Sequence, residues 1–199
     1  MIYDNIDSAY IDYKYKLLDY GEVIVDQRGD KVYQLPFHSI TFKDFVKKVG
    51  GIEYIDIPSN TFLNYDAMKK YAEQLVDGDV QDFIYTYGNR LIEHFGINQY
   101  EVMINRIKED IHTRRAIAIT YDQVNDNCIE DIPCLIMLKL MVYDGKLDMG
   151  VVFRSNDIKY AFVSNLYGLM CVQLYLAKEL GLPVGSLHYV CFDCHWKEI

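Results

Sequence analysis

The chain predicts an α+β fold formed as one domain over residues 1–199, on three observations. Half of its 199 residues are apolar (51%), enough to fill one sizeable core. Helical spacing of apolar residues dominates most of the first part, whereas runs of branched and aliphatic residues, read as buried strands, dominate after Thr113. No internal repeat, low-complexity tract or Pro/Gly/Ser-rich linker divides the sequence.

The elements follow in order. Residues 8–20 have apolar side chains at helical spacing, and Gly21 is placed to end that helix. Strands are expected at 22–25 and 31–35, around the turn cluster Asp26-Gln27-Arg28-Gly29-Asp30, whose arginine sits on a loop suited to meeting an anion. Helices are expected at 42–49, at 64–76 with a polar cap ahead of Met68, Tyr71 and Leu75, at 80–95 and at 98–111. Residues 115–121, 134–142 and 146–153 then read as strands, with Asp144-Gly145 joining the last two as a hairpin. Residues 160–180 carry Leu166, Leu169, Met170, Val172, Leu174, Tyr175 and Ala177 in a nearly all-apolar helix, with Gly181 beyond its end. Such a helix is buried, packing against the sheet. A last strand is expected at 186–192.

Charge narrows the function. A formal net charge of −9 leaves no broad basic surface, which excludes a protein that coats nucleic acid but not a small local anion site. The acidic N-terminus lacks the basic leader and apolar run of a secretory signal, and no segment approaches a membrane span. The chain therefore reads as cytoplasmic, and its five cysteines as reduced thiols.

Chemistry concentrates in Pro133-Cys134, Arg154-Ser155-Asn156-Asp157 and Asn165. A cysteine opening a buried strand is ordinarily a core residue, but a nearby cation lowers a thiol's pKa, and the 134–153 hairpin should set Arg154 beside Cys134. Residues 154–157 have two readings. They can start a helix, with Ser155 or Asn156 as cap, or the same helix N-terminus can hold a phosphate together with the Arg and Ser side chains. A competing signal, Cys191-Phe192-Asp193-Cys194-His195, matches the C-x-x-C-H pattern of haem attachment and, with His188 or Cys171, could contribute to a zinc site. Side-chain alternation along a strand argues against convergence there, so no metal is expected and these thiols read as buried.

Together with other segments, these residues resemble the thymidylate synthase family, in its short archaeal-type branch, from about Phe83 to His195. Tyr85-Thr86-Tyr87-Gly88-Asn89-Arg90-Leu91 resembles its tyrosine-glycine segment, and Asn98-Gln99 its Asp-Gln signature. Thr113-Arg114-Arg115 resembles its paired arginines. Pro133-Cys134, Arg154-Ser155-x-Asp157, Asn165, Gly185 and Asp193-x-His195 follow in the family's order. The resemblance implies a mixed sheet packed on the long helix and a sheet-mediated homodimer. It implies reductive methylation of dUMP to dTMP with 5,10-methylenetetrahydrofolate as co-substrate, begun by Cys134 attacking C6 of the pyrimidine. Arg154, Ser155 and Arg28 would bind the nucleotide phosphate, with Arg114 and Arg115 reaching it across a twofold axis. Asn165 would read uracil, whereas related hydroxymethylases acting on dCMP carry aspartate there. Asp157 would organise ring contacts, Tyr87 would assist proton transfer at C5, and His195 would bind the sugar 3′-hydroxyl.

Three features depart from that family. Lys197 stands where a second sugar-binding tyrosine is usual. The chain stops four residues after His195, where the family continues into a segment that closes over the folate; without closure, water could capture the one-carbon intermediate and give a 5-hydroxymethyl nucleotide. No N-terminal helix carrying the family's catalytic glutamate is recognisable; Glu53 is a candidate substitute that reads more readily as a surface-loop glutamate, and Trp196 is the only tryptophan. A nucleotide-binding protein that has lost turnover is the remaining alternative.

Overall fold

A computed structural model describes residues 1–60, 63–78 and 85–198. Strand β1 (Ile2–Tyr3) leads into helix α1 (Ile6–Tyr20), whose first turn is capped by the Asn5 side chain accepting from the Ser8 amide at 2.8 Å. Strands β2 (Glu22–Val25) and β3 (Lys31–Phe42) pair antiparallel. In the turn between them, Asp26 Oδ1 accepts from the amides of Arg28 at 2.9 Å and Asp30 at 2.8 Å. A carboxylate tying its own loop in this way fixes the backbone from which Arg28 projects.

Two expectations fail next. Strand β3 does not stop at residue 35 but runs through Pro36 to Phe42, and residues 42–49 are not helical. Instead β4 (Val46–Val49) pairs with β5 (Ile52–Ile55) around Gly50-Gly51, both at positive φ (57° and 85°). A two-residue turn of this kind needs the left-handed conformations that glycine adopts freely, and it selects a hairpin over a helix.

Helix α2 (Tyr65–Asp77) begins at Asn64, whose side chain accepts from the Ala67 amide at 2.9 Å, and ends at Gly78 with φ 80°. Of the helix expected at 80–95, residues 80–84 lie outside the described residues, and the described part is helical only in the short α3 (Tyr87–Ile92). Helix α4 (Gln99–Glu109) follows, then β6 (Ile117–Ile119), a single 3-10 turn at Asp126–Cys128, β7 (Leu135–Tyr143), β8 (Lys146–Phe153), β9 (Asn156–Asp157), α5 (Phe162–Leu180) and β10 (Val184–Lys197). The β7–β8 hairpin turns at Asp144-Gly145 as expected. The last strand is much longer than expected.

Among the described residues the main sheet has the order β1-β3-β10-β8-β7-β6, with β2 added to β3 and β9 to β10. It is mixed: β10 runs antiparallel to β3 and parallel to β8 and β9. Helix α5 lies against it, buried along nearly its whole length, with α1, α2 and α4 around it. Each fully buried Leu, Met or Phe here contributes about 1.5–3 kcal/mol of transfer free energy. Gln173, wholly buried in α5, donates to Leu147 O at 2.8 Å and Ser186 O at 3.1 Å, tying the helix to β8 and the start of β10. Among the described residues, no helix is long and apolar enough to cross a membrane.

The strand pair β3–β10 changes face half-way along. Leu187, Tyr189 and Cys191 enter the core, but so do Cys194 and Trp196, which breaks the two-residue period of a strand. The break falls where Cys191 pairs with His38 and Asp193 with Pro36, leaving Phe192 and Phe37 between them. Phe37 has φ 55°, its ring centroid lies 5.9 Å from that of Phe192, and both rings are exposed. Irregular backbone at this point accommodates Pro36 within a strand. Beyond it, Asp193, His195 and Lys197, with Val32 and Gln34 opposite, line a cleft rather than the outer sheet face.

Candidate active site

The cleft has a volume of about 500 Å³, within the range of roughly 300–1,000 Å³ usual for small-molecule sites. Its walls come from the β2–β3 turn (Arg28), α2 (Tyr71), Tyr85 and Tyr87, the start of β7 (Cys134), residues 154–157, Asn165 of α5 and the far half of β10. Most candidate residues named from the sequence thus meet in one place. Arg114 and Arg115 do not: they are exposed between α4 and β6, outside this cleft.

The β7–β8 hairpin sets Arg154 beside Cys134. Leu135 pairs with Phe153, and the Arg154 amide donates to Cys134 O at 2.8 Å. The guanidinium folds back over the same segment, donating from Nε to Pro133 O at 2.9 Å and from Nη2 to Ile132 O at 2.8 Å. Nη2 also lies 3.6 Å from Cys134 Sγ. Two carbonyls therefore fix the cation against the sulfur, while Nη1 has no partner among the described residues. Burial raises the Cys134 pKa above the ordinary thiol value of 9.0, and Arg154 opposes that rise.

The sign of the net shift sets a prediction. Because the thiolate is the reactive form, alkylation of Cys134 by iodoacetamide should accelerate about tenfold per pH unit from pH 7 to 9 without levelling. Arg154→Leu should slow it further at each pH. Peptide mass spectrometry would separate Cys134 from the exposed Cys128; a plateau below pH 8 would contradict the raised pKa.

Residues 154–157 do not start a helix. Asn156 and Asp157 form β9, pairing with Cys194 and His195, and α5 begins only at Phe162 without a side-chain cap. Asp157 Oδ1 instead accepts from the amides of Lys159 at 2.8 Å and Tyr160 at 3.0 Å, a turn that redirects the chain into α5. Residues 154–157 therefore offer a phosphate no helix N-terminus of their own, and what they bring to an anion is side chains. Those available are Arg154, Ser155, whose hydroxyl lies 3.1 Å from His195 Nδ1, and Arg28. Arg28 pairs with Asp131 at 2.9 Å, both exposed, and such a pair is worth about 0–1 kcal/mol and is easily exchanged for another anion.

Tyr87 is half-buried, its hydroxyl accepting from the Leu135 amide at 3.3 Å, immediately after Cys134. Burial pushes its pKa well above the ordinary phenol value, so it enters any proton relay protonated. Asn165, itself buried, accepts from the Tyr71 hydroxyl at 2.5 Å and donates from Nδ2 to Asn156 Oδ1 at 3.2 Å. Tyr71 and Tyr85 line the cleft without a role assigned to them from the sequence, and Asn156 enters it as a partner of Asn165 and not as a helix cap. Tyr71 reads from sequence as one member of the apolar stripe of α2; Tyr85 is marked only by its place in the tyrosine-glycine segment with Tyr87.

Comparison with known proteins decides the family. The sequence model described as thymidylate synthase matches residues 56–197. The chain belongs to the thymidylate synthase family. Similar proteins include one from Methanothermobacter thermautotrophicus, provisionally named thymidylate synthase, 32% identical over 92% of this chain and 86% of that protein. Two others with the same provisional name come from Methanosarcina mazei, 34% identical over 96% of this chain and 86% of the relative, and Methanopyrus kandleri, 36% identical over 74% and 71%. Thymidylate synthases bind a nucleotide and use a folate co-substrate.

Within this thymidylate synthase fold the remaining expectations divide. Glu53 lies in β5, 3.8 Å from Lys48 and away from the cleft, so it is no substitute for the family's glutamate. Among the described lining residues the carboxylates are all aspartates. Lys197 reaches the cleft rim and pairs with Asp30 at 2.5 Å. Cys191 and Cys194 do converge, against the expectation from strand alternation, because the change of face at Phe37 and Phe192 turns both inward to hydrogen-bonding distance. His195 turns the other way, to Ser155, and no cluster of three or more metal-binding side chains occurs among the described residues. A second, apolar pocket of about 360 Å³ shares Tyr71, Tyr85 and Tyr87 with the cleft.

Proposed function

We propose that this protein is a thymidylate synthase that transfers and reduces a one-carbon unit from 5,10-methylenetetrahydrofolate to C5 of dUMP, giving dTMP. The observation that carries the reading is a cleft thiol, Cys134 Sγ, held 3.6 Å from a guanidinium whose position is fixed by two carbonyls. Arg154 favours the thiolate, which adds to C6 of the uracil and moves electron density through C5 to O4. Asn165 meets that charge with Nδ2 and accepts N3–H with Oδ1. Tyr87, beside the same strand start, assists proton transfer at C5, and Asp157 organises contacts to the ring. The phosphate falls to Arg154 Nη1, Arg28 and Ser155, and the sugar 3′-hydroxyl to His195.

Methylenetetrahydrofolate supplies both the carbon and the hydride, and the aromatic pocket bordered by Tyr71, Tyr85 and Tyr87 offers its rings stacking surfaces. A homodimer across the open sheet face is supported by the apolar residues exposed there, Phe37 (80%), Phe192 (49%) and Ile119 (46%). In that assembly Arg114 and Arg115 of a second copy complete the phosphate site. Five free cysteines fit the reducing cytoplasm.

The test combines the protein with dUMP and methylenetetrahydrofolate, weighs the nucleotide product and follows dihydrofolate absorbance. Methylated nucleotide formed together with dihydrofolate is the expected result. A hydroxymethyl product without folate oxidation would replace synthase by hydroxymethylase, and dUMP binding with neither product would leave a nucleotide-binding protein.

A further inference from the structure

We propose that Tyr71 is a positioning residue that fixes which way round the Asn165 amide faces the base, and so sets uracil against cytosine. The inference rests on the proposed contact between Asn165 and the base. An asparagine alone does not choose. With oxygen toward N3–H and nitrogen toward O4 it pairs with uracil; turned by half a rotation, it offers a donor to N3 and an acceptor to the amino group of cytosine. Selectivity therefore requires something that holds the amide.

The Tyr71 hydroxyl lies 2.5 Å from the Asn165 amide atom facing it. That separation is that of a short O–H···O bond, roughly 2.5–3.0 Å, with the hydroxyl donating. The amide is placed with its carbonyl oxygen toward Tyr71. The opposite atom contacts Asn156 Oδ1 at 3.2 Å, as an N–H donor does, and Asn156 Nδ2 continues to the Tyr189 hydroxyl at 3.0 Å. A directional chain thus runs Tyr71, Asn165, Asn156, Tyr189. It occupies one lone pair of Asn165 Oδ1 and one hydrogen of Nδ2, leaving the second of each for a ligand. Burial keeps the Tyr71 phenol protonated and able to donate. Rotating Asn165 alone would set its oxygen against Asn156 Oδ1 and bring its nitrogen into the short contact with Tyr71.

The backbone is shaped for this contact. Gly168 lies one turn beyond Asn165 on α5, and a Cβ there would come within 3.2 Å of Tyr71 Cε1 and 2.3 Å of Leu75 Cδ1. The missing side chain leaves room for Leu75 and lets the Tyr71 ring pack directly on α5, on the side of its hydroxyl contact with Asn165.

Tyr71→Phe deletes the hydroxyl and keeps the ring. Calorimetric titration of dUMP and dCMP into the full-length protein should show the native chain preferring dUMP and the variant losing about tenfold of that preference, mostly through tighter dCMP. Gly168→Ala, which crowds Leu75 and presses the Tyr71 ring away by a few tenths of an ångström while retaining the hydroxyl, should shift the ratio in the same direction by a smaller factor, and it decides the matter if Tyr71→Phe misfolds. An unchanged dUMP/dCMP ratio in the folded variant, or a native protein indifferent to the two bases, would overturn the assignment. Because the readout is binding, a native protein that prefers dUMP yet makes no dTMP would defeat the proposed reaction and leave this role of Tyr71 standing.

Discussion

Cys134→Ala is expected to lower turnover of dUMP by at least about 10⁴-fold while leaving dUMP affinity within a few-fold of the native value. The size follows from the proposed reaction, in which no adduct forms at C6 without the sulfur and C5 is not nucleophilic without the adduct. The unchanged affinity follows from the geometry. Arg154 is held by the carbonyls of Ile132 and Pro133 and not by the sulfur, so removing Sγ leaves the cation in place. Cys134→Ser should be nearly as inactive, since a hydroxyl is far less ionised than a thiol at the same site. Single-turnover product analysis alongside calorimetry separates the two quantities. Normal turnover by the alanine variant would remove the covalent route altogether.

Asp126→Ala is expected to produce the largest loss of stability among single polar substitutions, about 3–5 kcal/mol. Arg90 is 4% exposed and Asp126 fully buried, with Nη2 and Oδ1 2.7 Å apart. The second Asp126 oxygen accepts from the Asp122 amide at 2.8 Å, and Arg90 Nη1 lies 3.0 Å from His94 Nε2. Removing the carboxylate leaves a buried guanidinium whose remaining counter-charge is Asp122, 4.0 Å from Nη1, and whose Nε has no partner among the described residues. Urea unfolding should show a lower midpoint with an unchanged slope, and Asp126→Asn, which keeps an acceptor, should lose less. A loss below about 1 kcal/mol would mean that water reaches the pair and that it behaves as a surface ion pair. The consequence extends to the cleft, because Arg90 also sits 5.4 Å from the ring centroid of Tyr85, a cleft-lining residue.

Much of this architecture can be read from the sequence where a single local rule decides. The continuous apolar pattern of α5 and the Asp144-Gly145 turn are such cases, and the turn in particular foretells the neighbours Cys134 and Arg154, because hairpin register follows from turn length. The rule fails where two local signals compete. Pro36 reads as a strand terminator, yet the strand continues because the proline falls at an irregularity; residues 42–49 have enough apolar spacing to suggest a helix, but Gly50-Gly51 selects a hairpin. Residues 154–157 carry good capping side chains, and pairing with β10, a partner distant in sequence, takes them instead. Tyr71 illustrates the deeper limit. Its apolar ring is visible in the periodicity of α2, but the direction of its hydroxyl depends on how α2 crosses α5, and on Gly168, nearly a hundred residues away.

The interruption at Phe37 and Phe192 gives one strand two successive assignments. Up to Cys191, odd-numbered residues of β10 serve the interior; past it, the interior takes even numbers and the cleft takes Asp193, His195 and Lys197. Because a strand shows alternate residues to alternate sides, a slip of one position past Phe192 would turn the Cys194 sulfur into the cleft and the His195 imidazole into the core. Folding and substrate recognition are thus spelled in the same reading frame of side chains, and two exposed phenylalanines mark where that frame shifts.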